Sequence, residues 1–181
     1  MSTTPREVRR LAFQVLYQLD ARNGQDPDAV LASTMKDDED SGDATDFSQS
    51  ERKKAFELAT MSWTHRDKAD AFMFEAAPGW PAHRQAAVDR AILRLAHYEM
   101  TSGRTHPKIA VNEAVELAKT FSTDKSPAFV NGLLDKLLKS VLAELGEADA
   151  APADPAATDS SSSAGGGGGG GGVNPDTVEA A

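Results

Sequence analysis

Apolar residues recur at helical spacing through most of the chain, most clearly from Pro107 to Lys139. In the first half of that stretch Ala110, Ala114, Leu117 and Phe121 fall four, three and four apart. Val111, Val115 and Ala118 widen this face, and Asn112, Glu113, Glu116 and Lys119 occupy the opposite one. Pro107 suits a first helical turn, where its missing N–H costs nothing, and Ser122, Thr123 and Asp124 supply a polar break. In the second half Ser126 is expected as the N-cap and Pro127 as the first helical residue. A wide apolar face follows, carrying Phe129, Val130, Leu133, Leu134, Leu137, Leu138, Val141, Leu142 and Leu145. Gly132 stands inside this helix at a cost of about 1 kcal/mol relative to Ala. Close approach by a neighbouring helix would account for it.

The same periodicity predicts three more helices and one short one upstream. Residues 6–21 place Val8, Leu11, Ala12, Val15, Leu16 and Leu19 on one face, and residues 28–35 form the short helix. Residues 50–76 read as one helix carrying Phe56, Ala59, Trp63, Phe72 and Met73. Pro78-Gly79 and Trp80-Pro81 mark a turn. Residues 86–100 then turn Val88, Ala91, Ile92 and Leu95 inward, with Gly103 closing the helix. No strand-like alternation competes, so the expected fold class is all-α, with about six or seven helices.

Composition changes this picture through its distribution rather than its total. The formal net charge of −9 argues against a nucleic-acid partner when taken whole. However, residues 31–50 hold 1 basic and 6 acidic groups and residues 146–181 hold 0 and 6, whereas residues 51–145 hold 14 and 12. The negative charge thus lies in the two stretches least suited to folding, and the expected globular part is slightly positive. The acidic stretch within residues 36–48 is expected to be a disordered insertion. Residues 146–181, rich in Ala, Ser and Gly, are expected to form a flexible tail after a helical domain at 1–145. The glycines of that tail lead into Val173, Asn174 and Pro175, not into the Gly-Lys-Ser/Thr of a phosphate loop.

With no cysteine there are no disulfides, thiolate metal sites or cysteine nucleophile, which suits a cytoplasmic protein. No apolar run approaches the length of a membrane span, so no membrane association is expected. His65, His83, His97 and His106 have no metal-ligand spacing. Glu113 and Glu116 beside Asn112 read as helix surface, and no hydrolase or dinucleotide fingerprint is present. The expectation is a non-enzyme without cofactor or metal.

Basic stripes are the remaining candidate chemistry. Arg6, Arg10 and Gln14 line up at i, i+4 and i+8 with Arg9 and Tyr17 alongside. A row of guanidinium groups can meet successive phosphates, and a Tyr can stack on an unpaired base; a solvated helix face is the plainer reading. Arg90, Arg94 and His97 form a second stripe, expected to face outward. Arg52, Lys53 and Lys54 crowd a first helical turn, where cations oppose the macrodipole.

The words VNEAVELAKTF and FVNGLLDK, with REVRRLAFQVLYQLD and VDRAILRLAHYEM upstream in the same order and spacing, resemble the signature of the NusB family of bacterial transcription antitermination factors. The resemblance covers roughly residues 5 to 140 apart from the acidic insertion. It implies an all-helical fold of two small bundles. It further implies binding to the boxA element of nascent ribosomal RNA transcripts, together with NusE, a ribosomal small-subunit protein, and a role in loading the transcription elongation complex. In the family, RNA meets the arginine-rich N-terminal region and the turn and first residues of the last helix. The matching residues are Arg6, Arg9 and Arg10, joined by Gln14 of the same row, and Lys125, Ser126 and Phe129. Periodicity places Phe129 in the core, whereas the resemblance exposes it near RNA. Asn131 and Gly132 are expected to hold the last helix pair together. The polar face with Asp89, Arg90 and Arg94 is the candidate partner surface.

The arginine cluster is interrupted by Glu7 and Val8, and Lys125 stands where a carboxylate is often found. The first departure should weaken RNA binding and the second strengthen it. Two alternatives stay open. One is a helical protein-interaction module or homodimer with little RNA affinity. The other is the helical domain of certain ribosomal RNA cytosine methyltransferases, against which the absence of a glycine-rich cofactor domain argues.

Overall fold

The computed structural model describes residues 3–36 and 46–146. The chain divides into two units after Asp149, and every described residue lies in the first. Most of the acidic insertion (37–45) and the tail from residue 147 onward lie outside the described residues. Those residues form seven α-helices and one 3-10 turn, with no strand among them.

Helix α1 spans Pro5–Ala21, and Thr4 caps it in a reciprocal box with Glu7. Helix α2 spans Pro27–Met35, and α3, Gln49–Thr64, begins with a second such box between Ser48 and Glu51. The expected single helix over 50–76 is in fact two: α3 ends at Thr64, and α4 spans Arg66–Ala76. Side chains compete for the carbonyls at this break. The Ser62 hydroxyl donates to Leu58 O, the Thr64 hydroxyl donates to Thr60 O, and His65 Nδ1 lies 2.8 Å from Met61 O. The 3-10 turn covers Ala82–Arg84, α5 spans Ala87–Thr101, α6 spans Pro107–Phe121 and α7 spans Ser126–Glu144.

Helix α1 packs chiefly on α3, and α6 on α7; α5 touches both pairs and joins the two small bundles. That position explains why α5 is not amphipathic, as its spacing suggests. Every residue from Ala91 to Met100 is buried, including Arg94, His97 and Glu99, because helices cover it on all sides. The core runs through Leu16, Ile92, Leu95, Leu134 and Met73. Gly24, at φ +72 after α1, lies where an added Cβ would stand 2.5 Å from Trp63 Nε1. Among the described residues no helix is long and apolar enough to cross a membrane.

Three expectations for the last helix pair need correction. Lys125, not Ser126, is the N-cap of α7, and Ser126 is its first helical residue. Gly132 is exposed, and a Cβ added there would meet nothing within 4 Å, so no helix approaches it; Asn131 beside it is exposed too. Neither residue holds the helix pair together. Leu145 is 61% exposed because it lies beyond the last turn that faces the core.

Candidate nucleic-acid interface

The arginines of α1 separate into different environments. Arg6, with its side chain 60% exposed, donates through Nε and Nη2 to the two carboxylate oxygens of Glu113 on α6, at 3.0 and 3.1 Å. That bond is the main cause raising the Arg6 pKa. Arg9 turns the other way and is only 11% exposed. Its Nε and Nη2 donate to Glu99 of α5 at 2.9 Å, Nη2 also reaches the Thr105 hydroxyl at 3.4 Å, and Nη1 lies 3.5 Å from Glu113. A bidentate pair at this burial fastens α1 to α5 and to the turn before α6. The row read from spacing therefore holds one surface arginine and one structural one. Arg10 is half-buried and lines a groove of about 210 Å³ between α1 and α6 with Arg6, Glu116, Thr120 and Phe121. Gln14, one turn further, lines a larger depression of about 500 Å³ with Tyr17, Gln18, Val88 and Phe121. Tyr17 is 40% exposed there.

At the start of α7 only part of the expected set faces solvent. Lys125 is exposed and Phe129 is half-buried, packed against the edge of the core, which falls between its two readings. Ser126 is 4% exposed. Its hydroxyl donates to Asp89 Oδ2 at 2.9 Å, beside a 2.7 Å bond from the Ser122 hydroxyl to Asp89 Oδ1. The Thr123 hydroxyl stands 2.9 Å from Ser126 Oγ. This network moors the α6–α7 turn to α5. It leaves the Ser126 side chain no free donor for RNA.

The same geometry corrects the outward reading of Asp89, Arg90 and Arg94. Asp89 is the buried acceptor of that network. Arg90 Nε donates to Asp20 at 3.0 Å, and its Nη1 donates to Ala82 O at 3.1 Å. Arg94, 6% exposed, donates to both oxygens of Asp70 at 2.8 and 2.7 Å and to Asp20 at 2.7 Å, with its guanidinium 5.6 Å from the Trp63 ring centre. Asp20 and Asp70 are the residues that sequence reasoning missed. An acidic residue at the end of one helix shows nothing of the arginine it will meet some seventy positions away. Arg52 is likewise internal, donating to the carbonyls of Phe47, Thr34 and Lys36. Lys53 and Lys54 remain exposed.

His97 of α5 is 8% exposed and Phe72 lies against it, ring centres 5.8 Å apart. Burial, aided by the charge of Lys68, pushes its pKa down to about 4. Among the described residues no group of His, Cys, Asp or Glu is arranged to hold a metal ion.

The surface left for a ligand is thus the α1–α6 groove, with Lys125 four residues beyond Phe121. Comparison with known proteins agrees with the helical order. A transcription antitermination protein NusB from Symbiobacterium thermophilum is 40% identical over 151 residues, covering 82% of this chain and 98% of the relative. The solved NusB of T. maritima superposes with a TM-score of 0.65 at 27% identity, covering 77% of this chain and 93% of that one. A chain in a structure described as a plectonemic RNA supercoil matches at 25% identity with a TM-score of 0.61, over 76% of this chain and 95% of that one. The NusB family pattern itself spans residues 6–139, from the Arg6 that grips Glu113 to the end of the apolar face of α7, and the chain belongs to the NusB family.

Proposed function

We propose that this chain binds boxA-type RNA in nascent ribosomal RNA transcripts together with a NusE-like ribosomal protein, and so helps to assemble antitermination factors on the transcription elongation complex. The observation that carries the reading is the groove between α1 and α6, which combines Arg6 and Arg10 with Thr120 and Phe121 inside the family match. Guanidinium groups meet phosphates there, a hydroxyl offers hydrogen bonds, and an aromatic edge offers stacking to an unpaired base. Lys125 and the partly exposed Phe129 continue the surface at the start of α7.

The partner reading moves from Asp89, Arg90 and Arg94, whose side chains are committed internally, to the neighbouring depression around Tyr17. Gln14 and Gln18 supply hydrogen-bonding rims, while Tyr17, Val88 and Phe121 supply apolar and aromatic area. That mixture suits a protein surface. A protein-interaction module or homodimer with little RNA affinity is the second reading, and the pairing of Arg6 and Arg9 with carboxylates favours it.

Titration of fluorescent boxA-type RNA, with and without the NusE-like partner and at two salt concentrations, tests the choice. Selective, salt-sensitive binding strengthened by the partner supports the RNA reading against a scrambled control. Partner binding with indifference to every RNA would replace it by the second.

A further inference from the structure

Helices α1 and α6 run parallel: Arg6 meets Glu113, and seven residues further along α1 the Phe13 ring lies 5.1 Å from that of Phe121. The start of α6 therefore projects past Arg6. Lys108 precedes Glu113 by five residues, about 7.5 Å of helical rise. The turn leading into α6, which passes through Gly103 at φ +69, is tied to α1 where Arg9 holds Glu99 and Thr105. This buried clamp sets Arg104 and Lys108 beside the RNA groove.

Both cations are exposed, and among the described residues neither has a carboxylate or hydrogen-bond partner. They contrast with Arg6, whose charge Glu113 already offsets. Lys108 is moreover the second residue of α6, where a cation opposes the helix dipole and an external anion would relieve the conflict. Ile109 beside it is 52% exposed, and Asn112, one turn on, presents an exposed amide.

Resting on the RNA reading above, we propose that the α5–α6 turn is a phosphate-binding arm. It extends the RNA track from Lys125 past Arg10 and Arg6 to Arg104 and Lys108. Its ligand is the backbone of single-stranded RNA flanking the recognised element. The track follows α6, whose 15 residues span about 22 Å.

The test uses the full chain carrying both Arg104→Ala and Lys108→Ala. It is titrated over a salt series with fluorescent boxA-type RNA bearing flanks on both sides, and with RNAs trimmed at either end. Loss of two phosphate contacts lowers the log–log salt slope by about 1.4. If the two lines meet near about 1 M salt, that is about 25-fold weaker binding near 0.1 M. Trimming one particular flank should bring wild type and variant together. The exchanged pair, Arg104→Lys with Lys108→Arg, should keep the wild-type slope, and thermal unfolding should be unchanged in both. A wild-type slope in the alanine variant, with Arg6→Ala still weakening binding, overturns the arm and leaves the RNA reading standing. Wild-type indifference to RNA overturns both. A loss confined to binding of the protein partner overturns the arm as an RNA site.

Discussion

Individual residues show how the same amino acid serves opposite ends in different settings. Gly132 and Gly24 are the plainest pair. Gly132 sits in a helix with open space around it, so Gly132→Ala should raise stability by about 1 kcal/mol, read as a higher denaturant midpoint. Gly24 combines positive φ with a Trp63 ring in the way, so Gly24→Ala should lower that midpoint instead. His97 adds a pH dependence whose sign follows from burial. Its folded pKa of about 4 lies below the ordinary 6.5, so between those values the unfolded chain binds the proton more readily. Stability from this group is full above about pH 6.5, falls as pH drops and levels off below about 4, by roughly 3 kcal/mol in all. Urea unfolding across that range, compared with His97→Leu, measures the difference. Equal pH slopes in the two proteins would show that another group is responsible.

Whole elements divide the arginines by role, and the division is measurable. Arg9→Ala leaves Glu99 buried without its main cation and should cost about 3 to 5 kcal/mol. Arg6→Ala removes an exposed pair, so the thermal transition should barely move. RNA affinity should fall with Arg6→Ala even so, which separates binding from folding. At the α6–α7 turn, Asp89→Ala strands two hydroxyls that bond to it and frees the start of α7. A loss of about 1 to 3 kcal/mol is expected from chemical denaturation. Helix α5 is the element that most departs from a periodic reading. Its charged residues are inside because Asp20 from α1 and Asp70 from α4 come to meet them.

At the scale of the molecule, overall charge and local charge point in different directions. The chain carries −9, yet the surface proposed for RNA displays Arg6, Arg104, Lys108 and Lys125. Binding should therefore weaken steeply with salt despite an acidic pI of about 4.9. Ending the chain after Gly146 removes 6 carboxylates and no base. The buried apolar residues of the helical unit all lie before that point, so the thermal transition should stay in place. RNA affinity should rise modestly at low salt and converge with the full chain at high salt, as fluorescence titration would show.

Much of the fold was legible in the amino-acid order, because helix formation and burial of one face are local properties. The 3.6-residue spacing of Ala110, Ala114 and Leu117 determines which side of α6 turns inward, and proline at the start of α6 and Gly103 after α5 punctuate the chain. Family membership was readable for the same reason, since it rests on contiguous words within residues 6–139. The fate of charged side chains was not. Arg9 and Arg6 are indistinguishable along α1, and only the arrival of Glu99, Thr105 and Glu113 from distant parts of the chain makes one a clamp and the other a surface cation. Arg104 and Lys108 gained their interest in the same way, from the parallel packing of α1 and α6. An apolar residue needs only to leave water and so reveals its side by periodicity. A charge takes its role from the partner that tertiary structure brings within about 3 Å.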